Sequence, residues 1–210
     1  MTEEPARRHY DSLRRTAQAQ QTSAEIARAA RALFVAKGWA ATTVRDVARE
    51  AGVSVPTVYA AYGNKNGLTW ALADAADLSA DISRLLADLE AAPEPPRQLA
   101  AMTAYDRRLF ERAGEVIVLL REAGRTEPEL AQAYRDARAR AEDAHRQVLS
   151  AWPSATLRLD LPTALDVYAA ICNIDVYTEL TIERGWSPER VEKWWADVVT
   201  RELLGESEAR

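Results

Sequence analysis

The sequence predicts an all-α protein, and three observations carry that expectation. Ala supplies 41 of the 210 residues, against 8 Gly and 9 Pro, and Ala is the residue that enters a helix at least cost. Large apolar residues recur at steps of three and four along most of the chain, which places them on one face of a helix. Ser, Thr, Asp or Pro stands before many of these runs and Gly after several, as helix caps require. With 48% hydrophobic and 28% charged residues, the composition is that of a globular chain.

Residues 1–21 hold Arg7, Arg8, Arg14 and Arg15 with little apolar content beyond Tyr10 and Leu13, so they read as a flexible basic N-terminal arm. At Thr22-x-x-Glu25 a capping box precedes Ile26, Ala29, Ala30, Leu33 and Phe34, and Lys37-Gly38 closes that helix. A second box, Thr43-x-x-Asp46, opens a short helix with Val44, Val47, Ala48 and Ala51 on one side, ended by Gly52. Ser54 caps a third short helix that carries Pro56 in its first turn, where a missing N–H is harmless, and Gly63-Asn64 closes it. From Lys65 to Glu90 the apolar spacing through Leu68, Leu72, Ala75, Leu78, Ile82, Leu85, Leu86 and Leu89 predicts one long helix. Pro93, Pro95 and Pro96 end it, and the later prolines divide the remainder into helical blocks beginning near 96, 114, 128, 162 and 188.

Three short helices separated by Gly38 and Gly52, the last two joined by a tight turn, have the form of a helix-turn-helix. Charge supports a polyanionic partner at this end. Residues 1–70 carry 10 Lys/Arg against 6 Asp/Glu, a net +4, while residues 71–210 carry 17 against 26, a net −9. The predicted organisation is therefore an arm over 1–21, a helix-turn-helix over 22–70 and a helical body over 71–210.

Residues 22–70 resemble the DNA-binding domain of the tetracycline-repressor (TetR) family of transcriptional regulators. The matching residues are Ala29-Ala30 with Leu33-Phe34, Lys37-Gly38, Thr42-Thr43-Val44 with Asp46-Val47-Ala48, Ala51-Gly52-Val53-Ser54, Thr57-x-Tyr59, and Lys65 with Leu68. The resemblance implies that Thr43, Tyr59 and Lys65 hold phosphates of double-stranded DNA and that Val55, Pro56 and Thr57 face base edges. Hydroxyls, an ammonium and helix N-termini suit phosphate oxygens. A Val-Pro-Thr surface suits thymine methyls and DNA shape, with Arg45 the candidate for a guanine contact. Ser54 and Tyr62 complete the candidate set. The chain departs from the family at Ser23, at Ala60-Ala61-Tyr62 and at Gly67, where a basic residue, an aromatic-polar pair and a helix former are usual.

The resemblance further implies that 71–210 is a helical body that forms a homodimer and encloses a small-molecule effector. Tyr177 to Gly205, with Glu183-Arg184-Gly185-Trp186 and Trp194-Trp195, looks like the last two helices of a group within the family. Leu161 to Glu183 is apolar on two faces, Leu165, Tyr168, Ala169, Cys172, Val176 on one and Val167, Ile171, Ile174, Thr178, Ile182 on the other. A helix buried all round needs neighbours on both sides, one of them a second subunit. Candidate effector residues are Met102, Tyr105, Phe110, Tyr134, Trp152, Tyr168 and Cys172, with Asp175, Glu115 or Glu179 as polar anchors; aromatic walls with a carboxylate suit a flat or cationic molecule.

Other classes find little support. One cysteine, Cys172, and two histidines, His9 and His145, leave no internal disulfide and no multi-cysteine or His-rich metal centre. No cofactor is expected. His145 falls in the charged stretch Arg138 to Arg146 and is expected on a solvated face. No phosphate loop, nucleophile elbow or acid/base dyad is present, so no enzyme is expected. No run of about 18 apolar residues occurs, which predicts a cytoplasmic protein with no membrane span. The alternative is a helical small-molecule binding or scaffolding protein that keeps the fold without useful DNA affinity.

Overall fold

The structure is a computed structural model that describes residues 4–76 and 81–205, with side chains described from residue 18 onward except Ser154. Two compact units make up the chain, residues 1–75 and 76–210.

In the first unit, α1 (Glu4–Lys37), α2 (Val44–Glu50), α3 (Val55–Tyr62) and α4 (Lys65–Ala75) pack around Ile26, Ala30, Phe34, Val47, Val58 and Leu68. The expected apolar stripe from Ile26 to Phe34 is buried in full. Two expectations about α1 are corrected. The helix begins at Glu4, so the residues expected as a flexible arm have helical backbone, and Thr22 lies inside the helix rather than capping it. Gln21 and Glu25 bridge one turn of it, Nε2 to Oε1 at 3.1 Å. The side chains of Arg7, Arg8, Arg14 and Arg15 lie outside the described residues.

The Thr43 box forms as expected: its Oγ1 accepts from the Asp46 N–H at 3.1 Å and the Asp46 carboxylate accepts from the Thr43 N–H at 3.1 Å. The Thr43 hydroxyl, which donates to the same carboxylate at 2.6 Å, the Thr43 N–H and the Arg49 guanidinium hold the Asp46 carboxyl down at about 2, so the cap is ionised and complete at neutral pH. Between α2 and α3, Gly52 takes φ +67°, a left-handed conformation that a side chain disfavours.

The long helix expected over 65–90 is two. α4 ends at Ala75 and α5 (Ile82–Ala91) starts after Asp81, whose φ of 71° is the left-handed region in a non-glycine residue. A backbone in that region costs about 1 kcal/mol, and α6 (Pro95–Ala123) stabilises it through Arg112 Nη1 and Arg108 Nε, 3.2 and 3.4 Å from Asp81 Oδ2. α6 also corrects the expected break near 114. Gly114 is buried inside this helix because α9 (Ile174–Thr178) approaches there: a Cβ would stand 2.9 Å from Ile174 Cδ1.

α7 (Pro128–Ser150), α8 (Leu161–Ile171) and α10 (Pro188–Leu203) start where the prolines place them. The block expected as one helix from Leu161 to Glu183 breaks at Cys172, and Asn173 caps α9 by accepting from the Asp175 and Val176 N–H groups at 3.0 Å. A π-helical turn, Glu179–Glu183, continues α9. The core of this unit gathers Leu99, Met102, Leu149, Leu165, Tyr168, Cys172, Tyr177, Val191, Trp195, Val199 and Leu203. α8 is not buried all round in the single chain, since Asp166, Ala169 and Ala170 are exposed, as is Ile182 at 73%.

Candidate functional site

α3 is held from behind and left open in front. Val58 is buried at 1%, while Ser54 and Pro56 are exposed and Tyr59 is half exposed. The Ser54 Oγ accepts from the Thr57 N–H at 3.3 Å and meets the Thr57 Oγ1 at 2.8 Å, which fixes the first turn and the rotamers of both hydroxyls. Val55 and Thr57 are partly buried beside them. The helix therefore presents its N-terminal turn, with Val, Pro and Thr side chains, outward, as insertion into a major groove requires.

Two flanking groups hold the other residues expected to contact DNA. Thr43 is exposed at the start of α2, and Arg45 is exposed just beyond it on the same helix. Lys65 begins α4 with its Nζ 3.6 Å above the Trp39 ring. The ring is itself fixed, its Nε1 donating to Thr69 Oγ1 at 3.0 Å, so the ammonium is positioned by a cation–π contact rather than left to swing. Asn64, which sequence reasoning missed, caps α4 by accepting from the Gly67 N–H at 2.8 Å.

Tyr62 has a structural partner: its hydroxyl donates to the Ser23 carbonyl at 2.8 Å and its ring is partly buried, so it ties α3 to α1. Tyr62→Phe is expected to lower stability by about 1 kcal/mol in urea denaturation and to leave DNA sequence preference unchanged in a competition assay.

In the second unit the expected effector residues separate into groups. Met102, Tyr168 and Cys172 are buried in one core, with Phe110 and Trp152 packed against it. Trp152 is occupied structurally, its Nε1 bonded to Gln98 Oε1. Tyr105 is partly buried. Asp175 is a correction: it is exposed and paired with Arg121 at 2.7 Å, which draws it outward, and Tyr134 lies beside the same guanidinium. Glu115 is exposed, and Glu179 is exposed and paired with Arg184 at 2.8 Å.

The buried acid is Asp106, only 4% exposed, which accepts from the Tyr168 hydroxyl at 2.8 Å. His145 Nε2 is 3.7 Å from the same oxygen and its ring lies 4.6 Å from that of Tyr168. The expectation of a solvated His145 is thereby corrected; α7 turns it inward. Burial, with the Asp106 charge adding to it, pushes the Tyr168 hydroxyl and the Cys172 thiol well up, so both stay protonated. The signal for Asp106 was in the sequence. It is an acid four residues from both Met102 and Phe110 on an otherwise apolar helix face.

A capped helix-turn-helix with an open N-terminal turn and a positioned lysine, followed by a helical unit with a buried polar core, defines a DNA-binding transcriptional regulator. Residues 26–79 match the profile of the bacterial regulatory proteins, tetR family, and the relatives that follow support the same resemblance. The HTH-type transcriptional regulator TtgR of Pseudomonas putida is 27% identical over 176 residues, covering 82% of this chain and 84% of that one. Among solved structures, NalD, the secondary repressor of the MexAB-OprM multidrug efflux pump in Pseudomonas aeruginosa, superposes with a TM-score of 0.66 at 20% identity over 90% of this chain and 99% of that one. A structure from Saccharomonospora viridis in complex with choline gives a TM-score of 0.68 at 17% identity, over 89% of this chain and 100% of that one. These relatives do not favour the scaffolding alternative. Among the described residues no helix is long and apolar enough to cross a membrane.

Proposed function

We propose that the protein is a cytoplasmic repressor that binds a palindromic operator as a homodimer and releases it when a small molecule occupies the second unit. The open first turn of α3, Ser54 to Thr57, carries the reading. Two copies of it about one helical turn of DNA apart, roughly 34–36 Å, would read the two halves of an inverted repeat. The exposed apolar groups Ala169, Ala170, Ile182 and Trp194 on and around α8 and α10 support a surface for a second copy. Release needs only differential affinity. A ligand that favours a non-binding state by about 3 kcal/mol weakens the operator complex on the order of 100-fold.

Two substitutions test the docking. Lys65→Ala is expected to weaken binding on every duplex and to lower the slope of log K against log salt by about 1. Thr57→Ala is expected to leave that slope alone and to shift preference by about 1 kcal/mol at the base pair it faces. Electrophoretic or anisotropy titrations across salt read both, and unchanged binding in the two variants contradicts the docking.

A further inference from the structure

We propose that Asp106 is the recognition carboxylate of an effector site for an organic ammonium ion with an apolar body, seated between α6, α7 and α8 beneath His145. The inference rests on the ligand-released reading and deepens it by naming the chemistry of the ligand.

The first observation is a buried carboxylate with no arginine or lysine as its partner among the described contacts. Asp106 is the one carboxylate buried among the described residues, and its hydrogen-bond donor is the neutral Tyr168 hydroxyl. The nearby arginines of α6 are engaged elsewhere, Arg107 with Glu111 and Glu192, Arg108 and Arg112 with Asp81. His145 stops at 3.7 Å, beyond hydrogen-bond reach. A carboxylate in an apolar core is costly without a cation, so the site favours a ligand that brings one. The walls are suited to it. The Tyr168 and His145 rings lie beside the carboxylate, and Phe110, one turn along α6, meets the Tyr177 and Trp195 rings at 5.9 and 6.0 Å. Aromatic faces attract cations and accept an apolar body equally well.

A second, independent observation is an unpaired donor in the same aromatic cluster. Trp195 is 0% exposed, and its indole N–H has no acceptor, although buried donors are nearly always paired. A ligand carrying a hydroxyl or ether oxygen would supply one. The third observation concerns access. α7 is fully buried only at Leu130 and Leu149, near its two ends. The partly exposed His145, one turn before Leu149, covers Asp106, so that side of the site lies nearer to solvent than the packed core.

The test uses the full chain and a matched pair of probes, (3-hydroxyphenyl)trimethylammonium and its uncharged isostere 3-tert-butylphenol, titrated by calorimetry. The cation is expected to bind about tenfold tighter than the isostere. Asp106→Asn, which keeps an acceptor for Tyr168, is expected to abolish that preference while circular dichroism shows a folded protein. Equal binding of the two probes by the unaltered protein, or a preference that survives in folded Asp106→Asn, overturns the site. The unaltered-protein comparison decides the matter even if the variant fails to fold. Adding an operator duplex selected from a random pool separates the two readings. Cation binding that leaves the duplex bound supports the site and contradicts ligand release through it, whereas release by the neutral probe alone overturns the site and leaves the ligand-released reading standing.

Discussion

Gly67→Ala is expected to destabilise the DNA-binding unit by roughly 3 kcal/mol and to weaken operator binding, opposite to what helix propensity alone predicts. Gly67 lies in the first turn of α4, where replacing Gly by Ala ordinarily gains about 1 kcal/mol. Here the added Cβ would stand 1.8 Å from the Tyr62 carbonyl oxygen and 3.0 Å from its carbon. Those are backbone atoms at the end of α3 and cannot rotate away. The turn must open, and with it go the Asn64 N–H bond to the Tyr62 carbonyl and the Gly67 N–H bond to the Asn64 side chain, both 2.8 Å. Lys65 sits inside that turn, so a phosphate contact moves as well. Urea denaturation and operator titration read the two effects, and a variant as stable as its parent contradicts the geometry.

Trp195→Ala is expected to cost about 3–5 kcal/mol, expressed in the unfolding of the second unit. Trp195 is the largest of the fully buried side chains and joins Phe110 of α6 and Tyr177 of α9 to α10 through edge and tilted ring contacts. Trp195→Phe separates packing from polarity. It leaves a smaller void and removes an indole N–H that lacks an acceptor, whose desolvation opposes folding by about 1–3 kcal/mol. The phenylalanine variant is therefore expected to unfold much closer to the parent than the alanine variant does, by denaturant titration followed at a far-ultraviolet wavelength.

The parts of the fold that were legible in the sequence are those set by local chemistry. Thr43 with Asp46, Ser54 with Thr57, and Gly52 at positive φ each act within four residues, so residue types at fixed spacing specify them. The buried stripe Ile26 to Phe34 was legible because periodicity reports a helix that faces a core. The same rule is blind where a helix has few apolar residues, and the helical backbone before Thr22 was missed for that reason. It also reads through a break that leaves the spacing intact. Ala75, Leu78 and Ile82 continue the pattern, yet Asp81 turns left-handed under the hold of two arginines more than 20 residues away. Gly114 misled in the opposite direction, marking a close approach by Ile174 and not an end.

The caps and turns that carry the candidate DNA face were legible, since they are locally specified. Tyr62 was the exception, because its partner, the Ser23 carbonyl, is 39 positions distant. The polar centre of the second unit was not assembled from sequence. Asp106, His145 and Tyr168 come from three helices, and only tertiary packing turns His145 toward the other two. Asp175 shows the converse: an acid expected as a polar anchor of the effector site is paired with Arg121 at the surface.

Selection of bound duplexes from a random pool, at a fixed salt concentration and with the full chain, tests the central claim most directly. The account predicts an enriched inverted repeat whose half-sites are centred about one helical turn, or roughly 10 base pairs, apart, and loss of that enrichment when Thr57 and Lys65 are both replaced by Ala. Recovery of no common sequence, or of one half-site alone, contradicts a paired α3 as the reading element.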